Sequence, residues 1–132
     1  MKKYLIDSDV LIYFLKGDKK AIDKLSTVSP MELYTSRINY TELLYGAYNS
    51  AKAEKNLNTI IPFLDNFQIL EFDEPSSFIF AKTKAKLKKS GNIIADMDLM
   101  IASIAIANNA ILITNNLRHF ERLDSLDYEG IE

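Results

Sequence analysis

A chain of 132 residues, 48% hydrophobic and 26% charged, has the size and make-up of one domain around a single core. It has no cysteine, which excludes disulfides and thiolate metal sites, and its single histidine, His119, excludes a histidine-rich zinc site and any reaction needing two imidazoles. The net charge of −2 does not advertise nucleic-acid binding, although a local basic stripe can still hold phosphate.

Lys3 to Ile6 is predicted as the first strand, Val10 to Leu15 as a short apolar helix ended by Gly17, and Lys19 to Leu25 as a second helix. Met31 to Thr35 reads as a strand, Asn39 to Tyr48 as a helix, and Lys52 to Phe67 as a longer helix interrupted or kinked at Pro62. Gln68 to Phe72 follows as a strand. Ser76 to Lys89 is an amphipathic helix closed by Ser90-Gly91, and Asp96 to Ala107 is a helix closed by Asn108-Asn109. Ala110 to Thr114 is a strand, and Tyr128 to Ile131 a short edge strand. The apolar runs are too short to span a bilayer, and the amino terminus makes a poor signal peptide, so a cytoplasmic domain over residues 1–132 is expected.

Strands alternating with helices predict a parallel sheet covered on both faces. In such sheets ligands bind outside the carboxyl ends of the strands. Asp7 directly follows the first strand, and Thr114-Asn115-Asn116 ends the fourth, so both are expected on one rim. A carboxylate in a buried strand is costly unless something compensates it. Asp9 reads as the cap of the helix that follows, with support of the site as the alternative.

Glu42 is the only charge between Arg37 and Lys52, and Gly46 lies one turn further along its helix face. On its own it reads either as an exposed or capping acid or as a site residue. Asp98 shares the i, i+3, i+4, i+7 stripe of Ile101, Ala102 and Ala105, which puts a carboxylate on the core-facing side of the first helical turn. Asp96 reads as that helix's cap. If Asp7, Glu42 and Asp98 converge, their repulsion is relieved by protonation or by a hard cation with oxygen ligands, which suits Mg2+ or Mn2+. Such an ion lowers the pKa of a bound water and neutralises phosphoryl charge, so the expected reaction is phosphodiester hydrolysis without a covalent enzyme intermediate.

The stretches YLIDSDVLI, YTELLYGA and DLMIASIAIANNAILITNNLRHFERL, in that order, resemble the PIN-domain ribonucleases, and among them the VapC-type toxins of toxin–antitoxin pairs. The resemblance implies a PIN-like three-layer α/β/α fold with a central parallel sheet of four to five strands. It also implies an endoribonuclease dependent on Mg2+ or Mn2+. By motif position Asp7, Glu42 and Asp98 match the family's acids, and Asn116 stands where a fourth acid is frequent. An amide there weakens a second metal site, which favours one tightly held ion. Glu121 is a candidate for the missing charge, and Ser8 and Thr114 are candidates to hydrogen-bond the metal ligands or to serve as turn residues. The resemblance further implies a homodimer, an RNA substrate and a cognate VapB-like antitoxin whose carboxy-terminal segment covers the site.

The lysines of KTKAKLKKSG, with Arg37, Arg118 and Arg122, read as a solvated surface or as a phosphate grip. His119 reads as structural or superficial, since a metal-hydroxide mechanism needs no imidazole. The number of tyrosines and phenylalanines, including Tyr13, Phe14, Tyr40, Tyr45 and Tyr48, points to an interface as well as a core. Two other readings stand beside the nuclease. DSDVL approaches the nucleophile motif of haloacid-dehalogenase-like phosphatases, with Asp7 as nucleophile and Asp9 as acid/base. A PIN fold with little catalysis, binding RNA or a partner, draws its only support from Asn116.

Overall fold

The computed structural model describes residues 1–132. In chain order the elements are β1 (Tyr4–Ile6), α1 (Ser8–Leu15), α2 (Lys19–Ser26), β2 (Leu33–Ser36), α3 (Arg37–Tyr48), α4 (Ala53–Leu64), β3 (Gln68–Leu70), α5 (Glu74–Lys89), α6 (Asp96–Ala107), β4 (Ile111–Ile113) and β5 (Asp127–Glu129). Short 3-10 turns at Pro30–Glu32 and Leu117–His119 precede β2 and follow β4. The five strands form one parallel sheet in the order β3-β2-β1-β4-β5. The expected edge strand is present over Asp127–Glu129, slightly earlier than Tyr128 to Ile131, paired alongside β4.

Helix starts follow local capping chemistry. Asp18, Ser36 and Asp73 each accept a backbone N–H from the first turn of α2, α3 and α5, satisfying donors that a helix start leaves free. Gly17 and Gly91 take positive φ values of 82° and 75° just past α1 and α5, a conformation that side chains with a Cβ avoid. Helix α4 runs through Pro62 and ends two residues later at Leu64, so the proline marks the last turn and does not split the element.

Neighbouring residues on the central strands face opposite layers. Leu5 and Leu112 point into a core formed with α5 and α6, which includes Leu99, Ile101 and Phe120. Ile6 and Ile113 point into a second core with Val10, Leu11, Leu43 and Leu64 from α1, α3 and α4. This two-sided burial explains the continuous apolar runs of β1 and β4. From β1 the chain builds outward through β2 and β3, then returns to the other side of β1 as β4. The reversal leaves a crevice at the carboxyl ends of β1 and β4, the position where open α/β sheets bind ligands. No helix is long and apolar enough to cross a membrane.

Candidate active site

Asp7 sits in that crevice. Its backbone N–H donates to the Ile113 carbonyl at 2.9 Å, which extends the β1–β4 pairing by one residue and holds the side chain at the rim. The residue is only 5% exposed. Oδ2 accepts the Thr114 hydroxyl at 2.7 Å, and Oδ1 accepts the Ser8 N–H at 2.8 Å and the Asn39 amide at 3.0 Å. Burial pushes the Asp7 carboxyl above its ordinary range and Asp98 adds to the effect, while the donors from Thr114, Ser8 and Asn39 oppose it.

Asn39 links this carboxylate to the next. Its amide also donates to Ser8 Oγ at 2.9 Å, and the Ser8 hydroxyl donates to Glu42 Oε1 at 2.7 Å. Asn39 is itself fully buried and fixed by Ser36, whose hydroxyl donates to Asn39 Oδ1 at 2.6 Å. Glu42 is half-buried in the middle of α3, well past the helix start, so it is not a capping acid. Burial raises its pKa, the Ser8 hydroxyl opposes that, and the charges of Asp7 and Asp98 raise it further. Gly46, one turn on, leaves open space beside it.

Asp98 enters from the first turn of α6, and its carboxylate lies 2.9 Å from Nδ1 of His119. His119 is thus not a surface bystander. Neither cap assigned from the sequence is observed. Asp7, not Asp9, is the N-cap of α1, which begins two residues earlier than the apolar run suggested. Asp9 instead accepts from Val10 N–H at 2.7 Å and from Asn115 N–H at 3.0 Å, pinning the turn after β4 to α1. Burial and then the neighbouring Asp7 push its pKa up to about 6. Ala95 occupies the N-cap of α6, and Asp96, exposed, pairs with Lys84 of α5 at 2.9 Å.

The other candidates lie further out. Asn116 is exposed, and its backbone N–H donates to Thr114 Oγ1 at 3.1 Å. Arg118 and Glu121 are exposed, and no hydrogen bond or ion pair ties them to the acids. Arg37 is taken by Glu71 through two close contacts, at 3.0 and 2.7 Å, and Arg122 donates to the Ile93 carbonyl at 3.2 Å. Lys82, Lys86 and Lys89 form an exposed row on one face of α5, and Lys88 is exposed on another. Asn39 was missed in the sequence, although it shares a helix face with Glu42, Leu43 and Gly46 at the i, i+3, i+4, i+7 spacing.

The crevice therefore brings together Asp7, Glu42 and Asp98, whose charges act on one another, and the charge of Asp7 also acts on Asp9. No three acidic or imidazole side chains are already drawn to metal-ligating spacing. The donor set is nonetheless all oxygen, buried at Asp7 and partly buried at Glu42 and Asp98, and self-repelling, which fits a hard divalent cation. An apolar groove of about 530 Å³, lined by Ile12, Leu15, Leu43, Ala47 and Ile60, opens beside Glu42 and Gly46.

Comparison with known proteins agrees with this architecture. Residues 4–126 match the PIN domain family. The chain is 35% identical over 130 residues to Ribonuclease VapC2 of Haemophilus influenzae, covering 98% of both chains. It is 29% identical over 129 residues to the tRNA(fMet)-specific endonuclease VapC of Salmonella typhimurium, again covering 98% of both. A crystal structure of VapBC2 from Rickettsia felis, bound to a DNA fragment from its promoter, contains a chain that superposes with a TM-score of 0.88 at 32% identity, covering 96% of this chain and 97% of that one. The chain belongs to the PIN domain family, in its VapC group.

Proposed function

We propose that this protein is a metal-dependent endoribonuclease and the toxin component of a VapBC-like toxin–antitoxin pair. The observation that carries the reading is the convergence of Asp7, Glu42 and Asp98 at the crevice between β1 and β4, with burial and mutual repulsion raising the pKa of Asp7 and Glu42. Asp7, Glu42 and Asp98 are the residues that would hold Mg2+ or Mn2+, without the fourth acid that Asn116 replaces. The ion would lower the pKa of a water and offset charge building on the scissile phosphate.

The remaining work falls to the protein. Thr114, Asn39 and the Ser8 N–H keep Asp7 aimed and ionisable, because neutral donors favour the carboxylate without cancelling its charge. Ser8 does the same for Glu42. Exposed cations on the same molecule, Arg118 and the lysine row of α5, offer phosphate contacts that would make RNA affinity fall with salt. The groove beside Glu42 suits an apolar antitoxin segment, which from there would reach over the acids. Tyr45 and Tyr48, 67% and 68% exposed on α3, mark further partner surface for the antitoxin or a second copy of the chain. Transfer RNA is the first substrate to try, given the Salmonella relative's name.

The test is cleavage of total RNA and of tRNA by the purified protein, free of antitoxin, with EDTA, Mg2+ or Mn2+. Discrete fragments that need the metal and vanish in Asp98→Ala are expected. RNA binding without cleavage under every condition would leave only the binding module. A stable acyl-phosphate on Asp7 would instead support the phosphatase reading.

A further inference from the structure

The acids of the crevice accept hydrogen bonds from hydroxyl, amide or backbone groups, with one exception. Asp7 has three donors, Glu42 has the Ser8 hydroxyl, and Asp9 has two backbone N–H groups. Asp98 has none of these. Its helix has Ala95 at the N-cap and no side-chain cap, and the one group against its carboxylate is Nδ1 of His119, 2.9 Å from Oδ2.

We propose that His119 is a positioning residue for Asp98, engaging one carboxylate oxygen through Nδ1 and leaving the other available to the site. The inference rests on the metal-dependent nuclease proposed above.

The support for His119 is built into the turn after β4. Its ring is 52% exposed, but its backbone is fixed by the 3-10 turn, with His119 N–H donating to the Asn116 carbonyl at 3.0 Å. The next residue, Phe120, is fully buried in the core under α5 and α6 and anchors the turn. At its other end the same turn begins with Thr114, which holds Asp7, and Asn116 N–H closes back onto the Thr114 hydroxyl at 3.1 Å. One short segment thus holds an acid at the end of β1 by a hydrogen bond and sets an imidazole nitrogen 2.9 Å from an acid at the start of α6. Outer groups that orient metal ligands typically change metal affinity or activity by about 10–100-fold when removed.

The experiment uses the full chain, free of antitoxin, as parent, His119→Phe and His119→Asn. Phenylalanine keeps the ring beside Phe120 and removes the donor. Asparagine puts an amide N–H near the place of Nδ1. Mn2+ binding is read by calorimetry without RNA, and kcat and KM are read separately on the cleaved RNA. His119→Phe is expected to weaken Mn2+ binding by about tenfold and to lower kcat by a similar factor, with KM little changed. His119→Asn is expected to recover most of both losses. His119→Phe that binds Mn2+ and cleaves like the parent overturns the inference and leaves the nuclease standing. Equal losses in both variants also overturn it, since they would show that the ring matters for something other than the Nδ1 donor. A parent that neither binds Mn2+ nor cleaves RNA overturns the proposed function, and this inference with it.

Discussion

Thr114 donates its hydroxyl to Asp7 Oδ2 at 2.7 Å, joining the ends of two adjacent strands from positions 107 residues apart in the chain. Both groups are buried, and the bond secures a carboxylate without neutralising it. Thr114→Val keeps the shape and removes the donor. It should destabilise the fold by about 1–3 kcal/mol in urea unfolding and weaken metal-dependent cleavage, while Thr114→Ser keeps both close to the parent. An unchanged denaturation midpoint in Thr114→Val would show that the bond does not support the crevice.

Asn39 is the neutral bridge between Asp7 and Ser8. Asn39→Asp preserves its outline but replaces the donor with a further buried negative charge facing Asp7 Oδ1. A loss of about 3 kcal/mol in stability is expected, because the substitution leaves uncompensated buried charge. Millimolar Mn2+ should return part of that loss as a higher melting temperature. A loss that Mn2+ does not touch would place the cation elsewhere.

Proton linkage gives a pH signature. The folded-state pKa of Asp9 is about 6 against an ordinary 3.8, and Asp7 and Glu42 are raised as well. Between those values the folded protein binds more protons than the unfolded chain, so stability falls as pH rises through the window. Glu71 and Asp73, whose pKa values are lowered, act only below the ordinary carboxylate range. In EDTA the melting temperature should therefore be higher at pH 5 than at pH 7, by roughly 3 °C. Mn2+ binds the ionised form, so its stabilising effect should grow from pH 5 to pH 7. A metal-free melting temperature that rises over this interval would contradict the raised pKa values.

Gly46 stands in the interior of α3 with nothing within 4 Å of where a Cβ would be. Gly46→Ala should add about 0.5–1 kcal/mol of stability from helix propensity. RNA cleavage by this variant is expected to stay at the parent level, measured by the same fragment assay, because a methyl group there meets no neighbour. Loss of cleavage would mean that the space beside Glu42 is needed by the substrate.

Which of these residues could be read in the sequence follows from how local their signals are. Asp7 and Thr114 end apolar runs, so a parallel sheet alone puts them on one rim, and Asp98 was placed by the helical period of α6. Glu42 was ambiguous because its neighbours on α3 do not determine its surroundings; Ser8, 34 residues away, does. Asn39 was overlooked for the same reason, since the donor it supplies is defined only by the start of α1 lying beside α3. The capping assignments failed by small shifts in register. Asp7 caps α1 while also facing the crevice, and that frees Asp9 to bind the turn after β4. Asp96 found a partner on α5, a contact between helices that no local rule contains. His119 carries no periodic signal, because a residue in a turn is placed by the buried Phe120 that follows it.

The most direct test of the central claim is the position of the metal. Crystals soaked in Mn2+ should show one strong anomalous peak in the crevice, roughly 2.1 Å from an Asp7 oxygen and from at least one oxygen of Glu42 or Asp98. No peak there, or one away from Asp7 while the protein still cuts RNA, would contradict the account.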